Sequence, residues 1–179
     1  MTITWNGWNQ LLAPSPSWAH LVVAAEHDVE QTLRWQTPRD LSIVVRITRG
    51  ERCTTKARLL HEWAAALQFP CYFGKNWDAF EECINDLEWL PARSYIFVVT
   101  HADRLLHTNN AELATFASIL STAATNWTNR REVGGLLWRI PASFHIVFHC
   151  PPPKEAETRT RFARAGVALD ALSLPSYDG

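Results

Sequence analysis

Phe69-Pro70-Cys71-Tyr72-Phe73-Gly74-Lys75-Asn76-Trp77-Asp78-Ala79-Phe80-Glu81-Glu82-Cys83-Ile84 decides how the rest of the chain is read. The stretch opens as a turn. Pro70 stops any helix running into it, and Gly74 can supply a positive φ. Asn76 is placed as an N-cap, its side-chain oxygen accepting from a backbone N–H one turn on. From there Trp77, Phe80, Ile84 and Leu87 recur at helical spacing and share one face. Asp78 and Glu82 lie four apart on another face, with Glu81 and Asn85 beside them.

The charge of this helix has one sign. Asp78, Glu81, Glu82, Asp86 and Glu88 are acidic, and no Lys or Arg stands between Lys75 and Arg93. Like charges four apart weaken an isolated helix by roughly 0.2–0.5 kcal/mol a pair. Asp78 recovers part of this at the positive end of the helix dipole, and Glu82 and Asp86 do not. Two readings follow. The carboxylates form a solvated face, or they form a preformed anionic surface aimed at a basic partner.

Working outward, the chain has 179 residues, enough for one domain with a sizeable core and some additions. The formal net charge is −1, so no global field draws nucleic acid or an anionic membrane. Nine Trp are scattered from Trp5 to Trp138, which suits packing rather than a stacking platform. The four cysteines contain no C-x-x-C pair, and reduced thiols are expected. There is no basic N-terminal region, and the apolar run Leu21–Ala25 is too short for a signal core. No stretch approaches a membrane span. The expectation is a cytoplasmic protein that binds neither nucleic acid nor membrane directly.

Residues 1–20 read as irregular, or as a short helix before Pro14, and residues 19–35 as a strand or buried turn followed by a helix from about Asp28. Leu41–Ile47 is a β-branched strand, and Arg49-Gly50-Glu51-Arg52 is its turn. Thr54 or Thr55 caps a helix to about Leu67 with Leu59, Leu60, Trp63 and Leu67 inward. After the acidic helix, Tyr95–Val99 reads as a buried strand, then Asp103–Leu106 as a turn. A long helix over Asn110–Trp127 turns Leu113, Phe116, Ile119, Leu120 and Ala123 inward. Arg130–Ile140, with Gly134-Gly135, is a connection to a third strand over Phe144–Phe148, which Pro151-Pro152-Pro153 ends. The tail carries one basic helix around Arg159–Arg164. Strands separated by helices predict an α/β fold, a small three-stranded parallel sheet covered by helices. The domain spans residues 40–150, with an N-terminal extension over 1–39 and a C-terminal extension over 151–179.

These residues resemble the barstar family, intracellular inhibitors of ribonucleases of the barnase type. The family pattern Pro-x-Tyr-(Tyr/Phe)-Gly-x-Asn-x-Asp-Ala-(Leu/Phe)-x-(Asp/Glu)-Cys is met by Pro70, Tyr72, Phe73, Gly74, Asn76, Asp78, Ala79, Phe80, Glu82 and Cys83. The match runs without a gap from Phe69 to Pro91, and the order of elements around it agrees. The resemblance implies an inhibitor, not an enzyme, with no cofactor and no bound metal. It implies a partner-binding surface of Tyr72, Phe73, Gly74, Asn76, Asp78, Glu81 and Glu82. Tyr72 would pack on the nuclease, Asp78 would be the first helix carboxylate, and Glu82 would take the place of the substrate phosphate. A ribonuclease must present cationic groups to that phosphate, and carboxylates on a rigid helix can pair with them.

The chain departs from the family pattern at several places. Glu82 stands where the prototype has Asp, which moves the charge outward by one methylene. Glu81 and Leu87 replace aromatics. On the following helix, where the family has a third carboxylate, there are only Leu120, Ser121 and Thr122. The alternative reading is therefore a barstar-fold interaction module for a basic partner that is not a nuclease. Other constellations carry less. His145 and His149 share a side of one strand and could form a metal pair, though no carboxylate of matching spacing lies near, and His101, Asp103 and His107 could be read as acid–base groups, but packed or surface histidines are commoner. Asp78 and Glu82 on one convex face do not flank a cleft as a hydrolytic pair would. Cys83 reads as a buried, inert thiol.

Overall fold

The computed structural model describes residues 5–129, 131–133, 137–139 and 141–175. Its elements in chain order are α1 (Gly7–Leu11), β1 (Ala19–Val23), α2 (Glu26–Gln36), β2 (Ile43–Arg49), α3 (Lys56–Leu67), α4 (Trp77–Asp86), β3 (Ser94–Thr100), α5 (Asn110–Thr128), β4 (Arg131–Val133), β5 (Leu137–Arg139), β6 (Ser143–Cys150), α6 (Glu155–Arg164) and β7 (Asp170–Ala171). Single 3-10 turns precede α3, follow β3 and open α6.

The sheet has five strands in the order β2-β3-β6-β1-β7, not three, and all its pairings are parallel. The three predicted strands are present as β2, β3 and β6. The two added strands come from the segments expected to be extensions. Ala19–Val23 pairs along its whole length with Ile146–Cys150, and His20 and Leu21 pair with Asp170 and Ala171. β1 reads Ala-His-Leu-Val-Val, with no period-2 alternation beyond His20, so sequence pattern alone leaves it between strand and buried turn. β7 has two residues, too few to show any period. The connection after α5 also differs from expectation, because β4 and β5 pair antiparallel there. Gly134 and Gly135 lie outside the described residues.

Strand alternation sends alternate side chains to two faces. One face carries Val44, Tyr95, Phe97, Phe144, Ile146 and Phe148 into a core with α3, α4, α5 and α6. At its centre the Trp63 ring meets Phe80, Phe97 and Phe116 edge-on, at centroid distances of 5.6, 5.7 and 5.3 Å. α3, α4, β3 and α5 are thus locked to one another through one indole. The other face carries Ile96, Val98, Val147 and Val22 against Trp5, Trp8 and Leu11 of the N-terminal segment and Val29 of α2. Among the described residues no helix is long and apolar enough to cross a membrane.

Candidate partner-binding site

The site begins where α3 ends. Gln68 takes a left-handed conformation (φ 53°), and the N–H groups of Gln68 and Phe69 close back on the carbonyls of Ala65 and Ala64. The Phe73 N–H then bonds the Pro70 carbonyl at 3.0 Å and closes the loop. Sequence pattern puts a positive φ at Gly74, but the structure puts it at Lys75, with φ 53°. The turn is already closed before Gly74. What this glycine supplies is space, since a Cβ there would lie 3.2 Å from Asn76 Nδ2. Asn76 is the N-cap as expected, its side-chain oxygen accepting from the Ala79 N–H at 2.8 Å.

α4 is pinned along its length. At its start the Trp77 indole donates to Glu112 of α5 at 2.5 Å, and Lys56 of α3 sits 5.3 Å above the ring. In its last turn Asn126 of α5 donates to Asn85 at 2.8 Å, and the Trp127 indole donates to the Ile84 carbonyl at 3.0 Å. Phe80 and Ile84 are fully buried, and Leu87 closes the helix in a left-handed cap. Below the loop, Phe73 stacks edge-on to Phe69 at 5.0 Å, and Phe69 reaches Trp89. No spacing rule links Lys56, Glu112 or Asn126 to this helix, so sequence reasoning missed these clamps. They are apparent only once α3, α4 and α5 are packed.

On this frame the predicted surface residues fall together. Tyr72, Gly74, Asn76, Asp78, Glu81 and Glu82 are exposed, while Phe73 is half-buried beneath them. Tyr72 is 72% exposed, the most exposed aromatic ring of the described residues. Its phenol is raised above its usual value, first by desolvation, then by the negative surroundings of Cys83, Asp86, Glu88 and Cys71. It is therefore a neutral hydroxyl at any physiological pH. The Cys83 thiol is pushed up to about 11 by burial, then by Asp86 and Glu82, which leaves it unreactive at neutral pH. Among the described residues no basic side chain forms an ion pair with Asp78, Glu81 or Glu82. The surface combines one neutral aromatic with unneutralised carboxylates on a fixed helix. That arrangement can receive a cationic cleft and has no cleft of its own.

The place of a third carboxylate is neutral. Leu120 is buried, and Ser121 and Thr122 line a surface cavity of about 450 Å³ with Pro16–Ala19 and Ala165–Ala168. The other constellations are only partly brought together. His107 turns to the carbonyl of Arg104, while His101 stays 3.9 Å from Asp103 and lies 3.2 Å from Glu26. His145 and His149 do share a face, but each bonds elsewhere, His145 to Ala13 and His149 to Ala24. Among the described residues no group of three or more His, Cys, Asp or Glu is placed to hold a metal ion.

Comparison with known families gives one finding. The model of the family described as Barstar (barnase inhibitor) matches residues 42–138, more than half of the chain, and that span contains the loop, α4 and α5. No curated protein matches the chain.

Proposed function

The chain belongs to the barstar family, and we propose that it is a cytoplasmic protein inhibitor that occludes the active site of a barnase-like ribonuclease or related nuclease toxin. The single observation behind this reading is that Asp78, Glu81 and Glu82 on α4 pair with no cation among the described residues. In the proposed complex Glu82 occupies the position of the substrate phosphate, Asp78 pairs with a second cation, and Tyr72 packs on the nuclease surface. Gly74 and Asn76 shape the loop, and Glu81 extends the anionic field. The clamps on Trp77 and Asn85 hold the helix ready, so little ordering entropy is lost on binding. A second reading has its own support. Only Leu120, Ser121 and Thr122 lie where the family has a third carboxylate, and Glu82 is longer than the prototype's Asp, which suits a basic partner that is not a nuclease.

Capture from a lysate of the source organism separates the two. Wild type and the Asp78→Ala/Glu82→Ala variant are used side by side, and what wild type alone retains is assayed for RNA cleavage with and without added protein. A nuclease silenced by the chain is the expected result. A retained partner with no nuclease activity moves the conclusion to the second reading.

A further inference from the structure

His20, His145 and His149 are wholly enclosed on the face of the sheet that the N-terminal segment covers, and the partner surface uses none of them. Their hydrogen bonds fix their tautomers. The Ala13 carbonyl lies 3.0 Å from His145 Nε2, so that nitrogen carries the proton and donates. His145 Nδ1 is then an acceptor, and His20 Nε2 donates to it at 2.9 Å. His20 Nδ1 is left to accept from the Gln10 amide at 3.4 Å. His149 repeats the pattern, its Nε2 donating to the Ala24 carbonyl at 3.1 Å and its Nδ1 accepting from the His101 N–H at 3.4 Å. Each ring is neutral, with one nitrogen donating and one accepting. A second proton on any of them removes an acceptor and sets N–H against N–H.

Apart from the Gln10–His20 bond, these links join residues 13–24 or the turn after β3 to β6. In the described sheet β1 pairs with β6 on one side and β7 on the other, and β7 pairs with no other strand. The seam between β6 and β1 therefore carries the whole added part of the sheet. We propose that this seam is an acid-sensitive joint, in which protonation of His20, His145 and His149 releases α1, β1 and β7 from β6 while the half bearing α3, α4 and α5 stays folded.

The surrounding charges are few. Asp170 of β7 faces His20, and Glu26 of α2 and Asp103 face His149 across His101. α1 has no titratable side chain, and Tyr95 of β3 lies on the other face. The carboxylates favour charged rings, but burial outweighs them. It takes His20 down to about 4, with help from His145, and holds His145 and His149 below the usual value. Hydrogen bonding to the backbone at Ala13 and Ser17, and at Ala24, opposes the shift without reversing it. A folded value below the unfolded one means that the open state binds more protons, so the docked state is lost as pH falls below about 6.5. Between about pH 7.5 and pH 5.5 His20 alone shifts opening about tenfold, and His145 and His149 add to it in the same direction.

Hydrogen exchange of the full chain at those two pH values, corrected for intrinsic rates, tests this directly. The expected result is a loss of protection of about tenfold or more in α1 and β1, with α3, α4 and β3 unchanged. Equal loss in both halves, or none in β1, overturns the proposal. The variant His20→Gln/His145→Gln/His149→Gln keeps a donor and an acceptor at each site but cannot titrate, and it should hold β1 equally well at both pH values. Should that variant not fold, ring titration of the wild type by NMR still decides. Rings of His20 and His145 that titrate near 6.5 while β1 stays protected contradict the joint.

Discussion

α4 and α6 are both ten residues long, and both carry four or five charged side chains. They use that charge in opposite ways. In α6, Lys154 meets Glu157 and Arg159 meets Glu155, each at 2.8 Å, and Arg159 also reaches the Leu169 carbonyl. Arg161 donates to the carbonyls of Asp103 and Leu105 at 2.8 Å each, tying α6 to the turn after β3. Lys154, Glu155, Glu157, Arg159 and Arg161 are thus each answered within the fold. On α4, Asp78, Glu81 and Glu82 meet no cation among the described residues, although the same helix is clamped at both ends. Charge that is satisfied internally serves stability. Charge held rigid and left unanswered is poised for something outside the chain.

The contrast can be broken in four places. The largest effect is expected on α4. Asp78→Ala and Glu82→Ala should each weaken binding of the partner nuclease by about 2 kcal/mol or more, as desolvated hot spots do, with thermal stability unchanged within about 0.5 kcal/mol. Calorimetric titration and a melting curve on each variant measure both. Arg161→Ala should do the reverse, lowering stability by about 2 kcal/mol through two orphaned carbonyls and leaving binding intact. Asn76→Ala removes the N-cap and should lower stability by about 1 kcal/mol in denaturant unfolding. The smallest effect is expected at Glu155→Ala, which leaves the Arg159 bond to the Leu169 carbonyl in place. The Glu155–Arg159 pair is partly exposed, at 43% and 37%, and screening holds the loss of that pair to about 0.5 kcal/mol or less.

Much of the site could be read from local pattern. Leu59, Leu60, Trp63 and Leu67 are the buried residues of α3, as their spacing requires, and Asn76 caps α4 through the bond its position allows. Both readings rest on neighbours within one turn. What escaped the sequence depends on distance. The His20–His145 bond spans 125 residues, and the Trp77–Glu112 bond spans 35. β7 exists because Leu172 donates to the Leu21 carbonyl and the strand before it follows, not because Asp170-Ala171 favours a strand. The loop shows a subtler limit. Sequence identifies a glycine-containing turn but not which residue bears the positive φ, because closure is decided by the Phe73–Pro70 bond and the cap that follows.

The most direct measurement is RNA cleavage by a barnase-type ribonuclease titrated with this protein and, in parallel, with Asp78→Ala/Glu82→Ala. Wild type should stop cleavage near one equivalent, while the folded variant requires a large excess. Inhibition by the variant at the same ratio as wild type would contradict the assignment of α4 as the partner surface.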